Sequence, residues 1–228
     1  MTSGDEIDDA AGAGTVGETL CRRIRGDIIA GTLQPGQKLT LDKLRSQYGA
    51  SVSTLREILN RLTTEDFVVA EGQRGFEVAP ATAAGLREVG DLRLLLECHA
   101  LDLSFAAGDL EWEGRVVAAH HKLSSVERQL LDGNRQRTPE WIAYDWAFHN
   151  ALISACGSRL LMKTHGSVFD RFLRYHMLAA SFRGPAVSQD HEALFKLAMA
   201  RDAAAAKARL AEHVNLGIGH VLSTGMFH

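Results

Sequence analysis

One short stretch of this chain reads as strand, and it comes early. FVVAE (67–71) and GFEVAP (75–80) are β-like runs divided by GQRG, and Gly72 and Gly75 mark the division as a hairpin. Every other patterned segment repeats apolar residues at three- and four-residue spacing, the period of a helix. A chain with one hairpin and many helical stripes has no extended sheet to build a core upon, so helix must pack on helix. The expected fold class is therefore mainly α.

The hairpin closes a recognisable series. From Val16, the residues Leu20, Ile24, Ile28 and Ile29 fall on one helical face, and Gly31 ends the run. Pro35-Gly36 is a turn signal, a short helix follows near Leu41–Gln47, and Gly49 breaks it. Ser51 or Ser53 can cap a third helix, whose Leu55, Ile58, Leu59 and Leu62 form an i, i+3, i+4, i+7 stripe. Helix, turn, helix, short turn, helix and hairpin make a winged helix-turn-helix over 16–80. The polar side of the third helix carries Ser53, Arg56 and Asn60, groups that reach phosphates and base edges in a major groove. By periodicity alone, a small helical domain with a solvated polar face remains equally open.

After Pro80 no strand signal returns. Helical segments are expected at 82–107, 110–133, 138–156, 158–182, 186–200 and 203–222, with breaks at Gly108-Asp109, Gly133-Asn134, Gly157-Ser158 and Gly184-Pro185. This is the pattern of an antiparallel all-helical bundle over 81–228. Residues 1–15, mostly Gly, Ala, Asp and Ser without periodicity, read as a disordered tail.

With 228 residues, 46% of them apolar and 23% charged, the chain can bury one large or two modest cores. It has no run of the roughly 20 apolar residues that cross a bilayer and no basic, apolar leader, so a cytoplasmic protein with no membrane partner is expected. Cys21, Cys98 and Cys156 are odd in number and far apart, which suits reduced thiols rather than disulfides or a zinc cluster. The net charge of −3 does not by itself suggest DNA, but its distribution is uneven: residues 19–80 hold nine Lys/Arg against seven Asp/Glu. All ten histidines lie beyond residue 98. The two parts therefore have different chemical equipment.

The stretch IIAGTLQPGQKLTLDKLRSQYGASVSTLREILNRLTTEDFVVAEGQRGFEVAP (28–80) resembles the winged helix of the GntR family of bacterial regulators. DLRLLLE (91–97), DWAFHNALISACGS (145–158) and QDHEALFKLAMARDAAAAKARLAEHV (189–214) resemble the FCD ligand-binding domain of its FadR-like subgroup. The resemblance implies a homodimer that binds a double-stranded DNA operator, with a helical domain that senses an effector; the commonest behaviour is a repressor released by ligand, not an enzyme. It adds Ser51, Thr54 and the wing residues Arg74 and Gly75 to Ser53, Arg56 and Asn60 as candidate DNA contacts. The DNA-reading helix departs from the family's GVSRTPVREAL. Val52 stands in place of the first arginine and Thr54 in place of proline, while Arg56 matches the second arginine. One bidentate contact to guanine, of about 1–3 kcal/mol, is thereby lost, and Val52 could instead touch a thymine methyl.

Asp145 and His149 are i, i+4 on one helix and share a face, with Tyr144, Phe148 and Leu152 marking the apolar side nearby. His191 and His213 lie on two later helices. One carboxylate and three imidazoles suit Zn²⁺, or Ni²⁺ or another first-row ion. Spacing alone also allows an Asp–His hydrogen bond and satisfied core histidines. The resemblance matches all four to the metal-binding FCD subgroup, and treats His220 as a weaker candidate. Arg93 and Glu97, another i, i+4 pair, are either a helix-face ion pair or, by the resemblance, part of the effector pocket, where an arginine would hold a small carboxylate; Arg171 and Arg174 are further pocket candidates. His120, His121, His165, His176 and His228 read as surface or packing residues, and Trp112, Trp141 and Trp146 as helix packing. Three rival readings follow: a metal-dependent hydrolase built on the same Asp/His set, a regulator that holds no metal, and an acyl-CoA-binding member of the subgroup. The absence of HExxH, a nucleophile elbow or a P-loop weighs against the first.

Overall fold

The computed structural model describes residues 15–71, 75–180 and 182–227. The expected tail, apart from Thr15, and the wing residue Arg74 lie outside the described residues. The chain divides into two compact units, a head that ends at Ala79 and a body that begins at Pro80 and also takes in Ile29–Gly31.

In the head, α1 (Val16–Ile29), α2 (Leu41–Tyr48) and α3 (Val52–Thr64) surround a small sheet of β1 (Lys38–Leu39), β2 (Val68–Ala70) and β3 (Phe76–Val78). The sheet order is β1-β3-β2 and both pairings are antiparallel, with Leu39 opposite Phe76 and Val68 opposite Val78. The hairpin expected from GQRG is β2–β3, and Gly75 takes φ +101°, a region open to glycine and costly for other residues. Strand β1 was not legible, because two residues are too few to show a period of two. The stripes that define the helices meet in one core. Ile24 and Ile28 from α1, Leu44 from α2, Leu55, Leu59 and Leu62 from α3, and Phe67 and Val78 from the sheet are all buried. Polar ties hold the edges: two Arg25 nitrogens donate to one Glu65 oxygen at 2.6 and 2.9 Å, and the Tyr48 hydroxyl donates to Asp27 at 2.6 Å.

The body is a bundle of α4 (Ala83–Ala107), α5 (Leu110–Leu131), α6 (Thr138–Ile153), α7 (Arg159–Ala179), α8 (Pro185–Met199) and α9 (Ala203–Ser223). Local chemistry starts the helices. Thr82, Asp109, Ser158 and Asp202 cap α4, α5, α7 and α9, each accepting from the amide three residues on. Three helices end two or three residues before their expected limits. The clearest case is α7, which stops because Ala180 turns left-handed at φ +46°, a change that no glycine announces. Helix α4 packs against α6, α7 and α9, and α8 bridges α5 and α9. Gly90 permits the α4–α9 approach: a Cβ there would lie 2.5 Å from Ile218 Cδ1. Helix α4 exposes Arg87, Glu88, Asp91 and Asp102 to solvent, whereas its Arg93 and Glu97 are buried, which makes those two conspicuous.

Candidate metal centre and DNA-reading face

The centre of the body collects polar groups that no single segment displays. Asp145 and His149 from α6, His191 from α8 and His213 from α9 each offer one ligand atom, and the four atoms lie within 4.8 Å of one another. The three imidazoles are buried. Each has its Nδ1 beside a carboxylate: His149 with Glu97 at 2.5 Å, His191 with Glu127 at 2.6 Å and His213 with Asp190 at 3.2 Å. A carboxylate on Nδ1 fixes the proton there and leaves Nε2 as the basic atom, the arrangement that orients imidazole toward a metal. Accordingly, His149 Nε2 and His191 Nε2 are buried without a hydrogen-bond partner. His191 Nε2 is only 3.0 Å from Asp145 Oδ1, yet off the line of a hydrogen bond. Buried polar atoms of this kind are costly to leave unmatched, about 1–3 kcal/mol each. A tetrahedral divalent cation would match them, so the donor set fits a metal.

Charge follows the same design. Burial by itself would raise the Glu97 carboxyl, but Arg93 and His149 outweigh it and hold that carboxyl well below its usual range. Asp145 is likewise lowered, against burial, by the His191 ring 3.0 Å away and by the charges of His149 and His213. Burial depresses His149, and it depresses His213 to about 3. His191 moves the other way, to about 9, because Asp145 and Glu127 overcome the burial that would lower it. Metal-free, the cluster thus holds its proton on His191.

Beside the centre lies a cavity of about 30 Å³, lined by Asp145 and His213 at one end and by Arg93, Trp141, His176, Arg183 and Gly217 among others. That is room for about two water-sized groups. Arg93 sits over the rings of Phe169 and Phe172, with its guanidinium carbon 4.3 and 4.8 Å from their centroids. Its Nε donates to Glu97 at 2.8 Å, while its Nη2 is buried without a partner.

The structure therefore gathers Asp145, His149, His191 and His213 and sets Arg93 at the cavity. It does not bring in the other pocket candidates. Glu97 is wholly buried behind His149, where it also meets His165 at 3.3 Å, and it does not line the cavity. Arg171 and Arg174 are not in the lining either; Arg174 is buried elsewhere in α7. His220 stays outside the four-residue set. His165 and His176, read as surface or packing residues, prove to be a buried partner of Glu97 and a cavity residue. Glu127, Asp190 and Arg183 were missed altogether. Asp190 had one signal, its place beside His191, but it serves His213 on another helix; Glu127 had none.

In the head, Ser51 caps α3, accepting from the Thr54 amide at 3.2 Å, and its hydroxyl is 2.8 and 2.9 Å from those of Ser53 and Thr54. Ser53, Arg56 and Asn60 are exposed. Arg56 and Asn60 share a cleft with Gly75 of the wing and with Lys38, a base that sequence reading passed over.

The sequence model for bacterial regulatory proteins of the gntR family matches residues 17–78, and that of the FCD domain matches residues 88–216. The chain belongs to the GntR family. It is 37% identical over 216 residues to the HTH-type transcriptional regulator BphR of Paraburkholderia xenovorans, covering 92% of this chain and 86% of that one. It is 33% identical to the HTH-type transcriptional repressor GlaR of Escherichia coli, over 85% and 90% of the two chains. Among solved structures, a GntR regulator from Rhodococcus sp. RHA1 shares the fold, with a TM-score of 0.74 at 24% identity over 93% of this chain and 99% of its own. Escherichia coli McbR/YncC does so at 0.77 and 20%, over 93% and 100%. This GntR protein is a transcriptional regulator with a DNA-binding domain and an FCD effector domain, not an enzyme. Among the described residues no helix is long and apolar enough to cross a membrane.

Proposed function

We propose that this regulator is a ligand-released repressor. Its body holds a divalent metal, most simply Zn²⁺, on Asp145, His149, His191 and His213, and takes a small carboxylate against that metal and Arg93. The observation that carries the metal is the triple pairing of imidazole Nδ1 with carboxylate, which leaves His149 Nε2 and His191 Nε2 buried without a hydrogen bond within a set of four ligand atoms no more than 4.8 Å apart. When bound, the metal supplies a positive centre for an anionic ligand. Arg93 supplies the second, since its free Nη2 is a ready donor to a carboxylate oxygen. The effector then shifts operator affinity by its preference for one state of the protein, typically about 1–3 kcal/mol of coupling.

The regulator acts as a homodimer in the cytoplasm, where its operator is. Leu95 of α4 and Leu160 of α7 are 68% and 75% exposed, an apolar surface of the kind that a second copy covers. Ser51, Ser53, Thr54, Arg56, Asn60, Arg74 and Gly75 are the proposed DNA contacts. Of these, Arg56 and Asn60 at the wing cleft carry the base reading.

A metal-free regulator is favoured by one observation: a protonated His191 between Asp145 and Glu127 would balance charge without an ion. Elemental analysis of purified protein separates the two. About one equivalent of metal per chain is expected, falling below about a tenth in the His149→Ala/His191→Ala protein. Operator binding should remain in that variant and its release by effector should vanish. A double variant that keeps stoichiometric metal and full release overturns the site.

A further inference from the structure

The histidine on α7 that faces the cavity has no work assigned to it by the metal or by Arg93. We infer that His176 is the residue that sets ligand specificity, by hydrogen bonding a neutral oxygen of the effector, so that the site selects a hydroxylated carboxylate over the same acid without its hydroxyl. This rests on the carboxylate reading above and deepens it.

Three observations converge. His176 lines the cavity together with Arg93 and Asp145, and its Nε2 is buried without a hydrogen-bond partner. The ring is held in place: Phe172 lies against it at 4.7 Å between centroids. On its other side α9 presents Gly217, where a Cβ would stand only 3.4 Å from His176 Cε1 and 3.7 Å from Nε2. A Cβ there would be in ordinary van der Waals contact with the ring, so the helix backbone of α9 closes that side of it. A fixed polar atom with open space beside it and no protein partner is a recognition position, because a buried donor or acceptor left bare by the wrong ligand is penalised.

The character of the ring decides what it recognises. Burial pushes His176 down to about 4, and the nearby charges of Arg93 and Arg183 oppose protonation further, although Asp145 favours it. At neutral pH the ring is uncharged. A second carboxylate would call for a cation at this place, and Arg183 is already engaged with Asp190 at 3.0 Å and His213 at 3.3 Å. A hydroxyl, which both donates and accepts, meets either tautomer of a neutral imidazole. The cavity of about 30 Å³, with room for about two water-sized groups, favours the smallest acids.

The test uses zinc-loaded full-length protein and matched monocarboxylic acids: glycolate with acetate, lactate with propionate, 2-hydroxybutyrate with butyrate. Binding is read by calorimetry and by the rise in melting temperature, with zinc content measured in parallel. Wild type should prefer the hydroxy acid of at least one pair by about tenfold, the worth of one hydrogen bond of this kind. His176→Phe should reduce that preference to about twofold or less, retain zinc and still bind the deoxy acid, and His176→Gln should restore part of it. If wild type binds a pair without preference, or if His176→Phe keeps the preference, the assignment of His176 is wrong while the carboxylate site stands. If wild type binds none of the six acids, the carboxylate reading fails and this inference with it.

Discussion

Glu127 shows how a single residue controls a site that it does not line. It lies on α5, at the opposite side of His191 from Asp145, and its Oε1 is 2.6 Å from His191 Nδ1. It also accepts from Trp141 Nε1 at 3.3 Å, so its own position is fixed by the packing of α6. Glu127→Gln keeps the shape and loses the charge that makes Nε2 basic. Metal affinity should fall about 10–100-fold, read by competition with a chelating dye, with folding unchanged. Arg56 is the corresponding residue in the head. It is exposed on α3 and has no second arginine to share its task, since Val52 stands in the neighbouring position. Arg56→Ala should weaken operator binding by about 1–3 kcal/mol, roughly 5–150-fold, in a mobility-shift titration, and should relax preference at one base pair.

At the scale of elements, the body depends on where its helices start, because the start fixes which side chains of a helix face the core. Asp109 caps α5 by accepting from the Trp112 amide at 2.8 Å, which brings Trp112 into the core against Phe105. Asp109→Ala removes that acceptor and should cost about 1 kcal/mol, or about 2–4 °C in melting temperature for a domain of this size. The starts of α5 and α7 were readable from the breaks at Gly108-Asp109 and Gly157-Ser158, and the capping residues Asp109 and Ser158 sit in those breaks. Helix ends were less so: Ala180 adopts a left-handed turn under tertiary constraint, and no residue type marks it. Strand β1 is a similar case, existing only because β3 offers it a partner.

For the molecule as a whole, burying so many titratable groups makes stability depend on pH from both sides. In the metal-free protein, His176 and His213 have folded pKa values near 4 and 3, below the unfolded value of 6.5. Between those limits the unfolded chain binds more protons than the folded one, so stability falls as pH drops below 6.5. His191 is opposite: with a folded pKa near 9, its contribution is complete below 6.5 and is lost as pH rises through 9. Melting temperature of the metal-free protein should therefore peak near pH 6.5 and decline on either side. Added zinc should flatten the alkaline limb, because the ion replaces the proton on His191. A melting temperature that rises steadily from pH 6.5 to 9 without metal contradicts this account of the cluster.

The amino-acid order alone determined the two-part organisation, the nine helical stripes, the hairpin and five of the seven histidine and carboxylate positions at the centre: Asp145, His149, His191, His213 and, as a pocket candidate, Glu97. Those are local properties, written in periods of two and 3.6 and in caps a few residues away. What the tertiary structure decided is which groups face one another across helices. Glu127 belongs to His191 and Asp190 to His213 although 64 and 23 residues separate them, and Arg183 and His176 reach the cavity where Arg171 and Arg174 do not. Helical period places a side chain on a face, but the partner opposite that face is set by how six helices share one core, a long-range outcome with no period of its own.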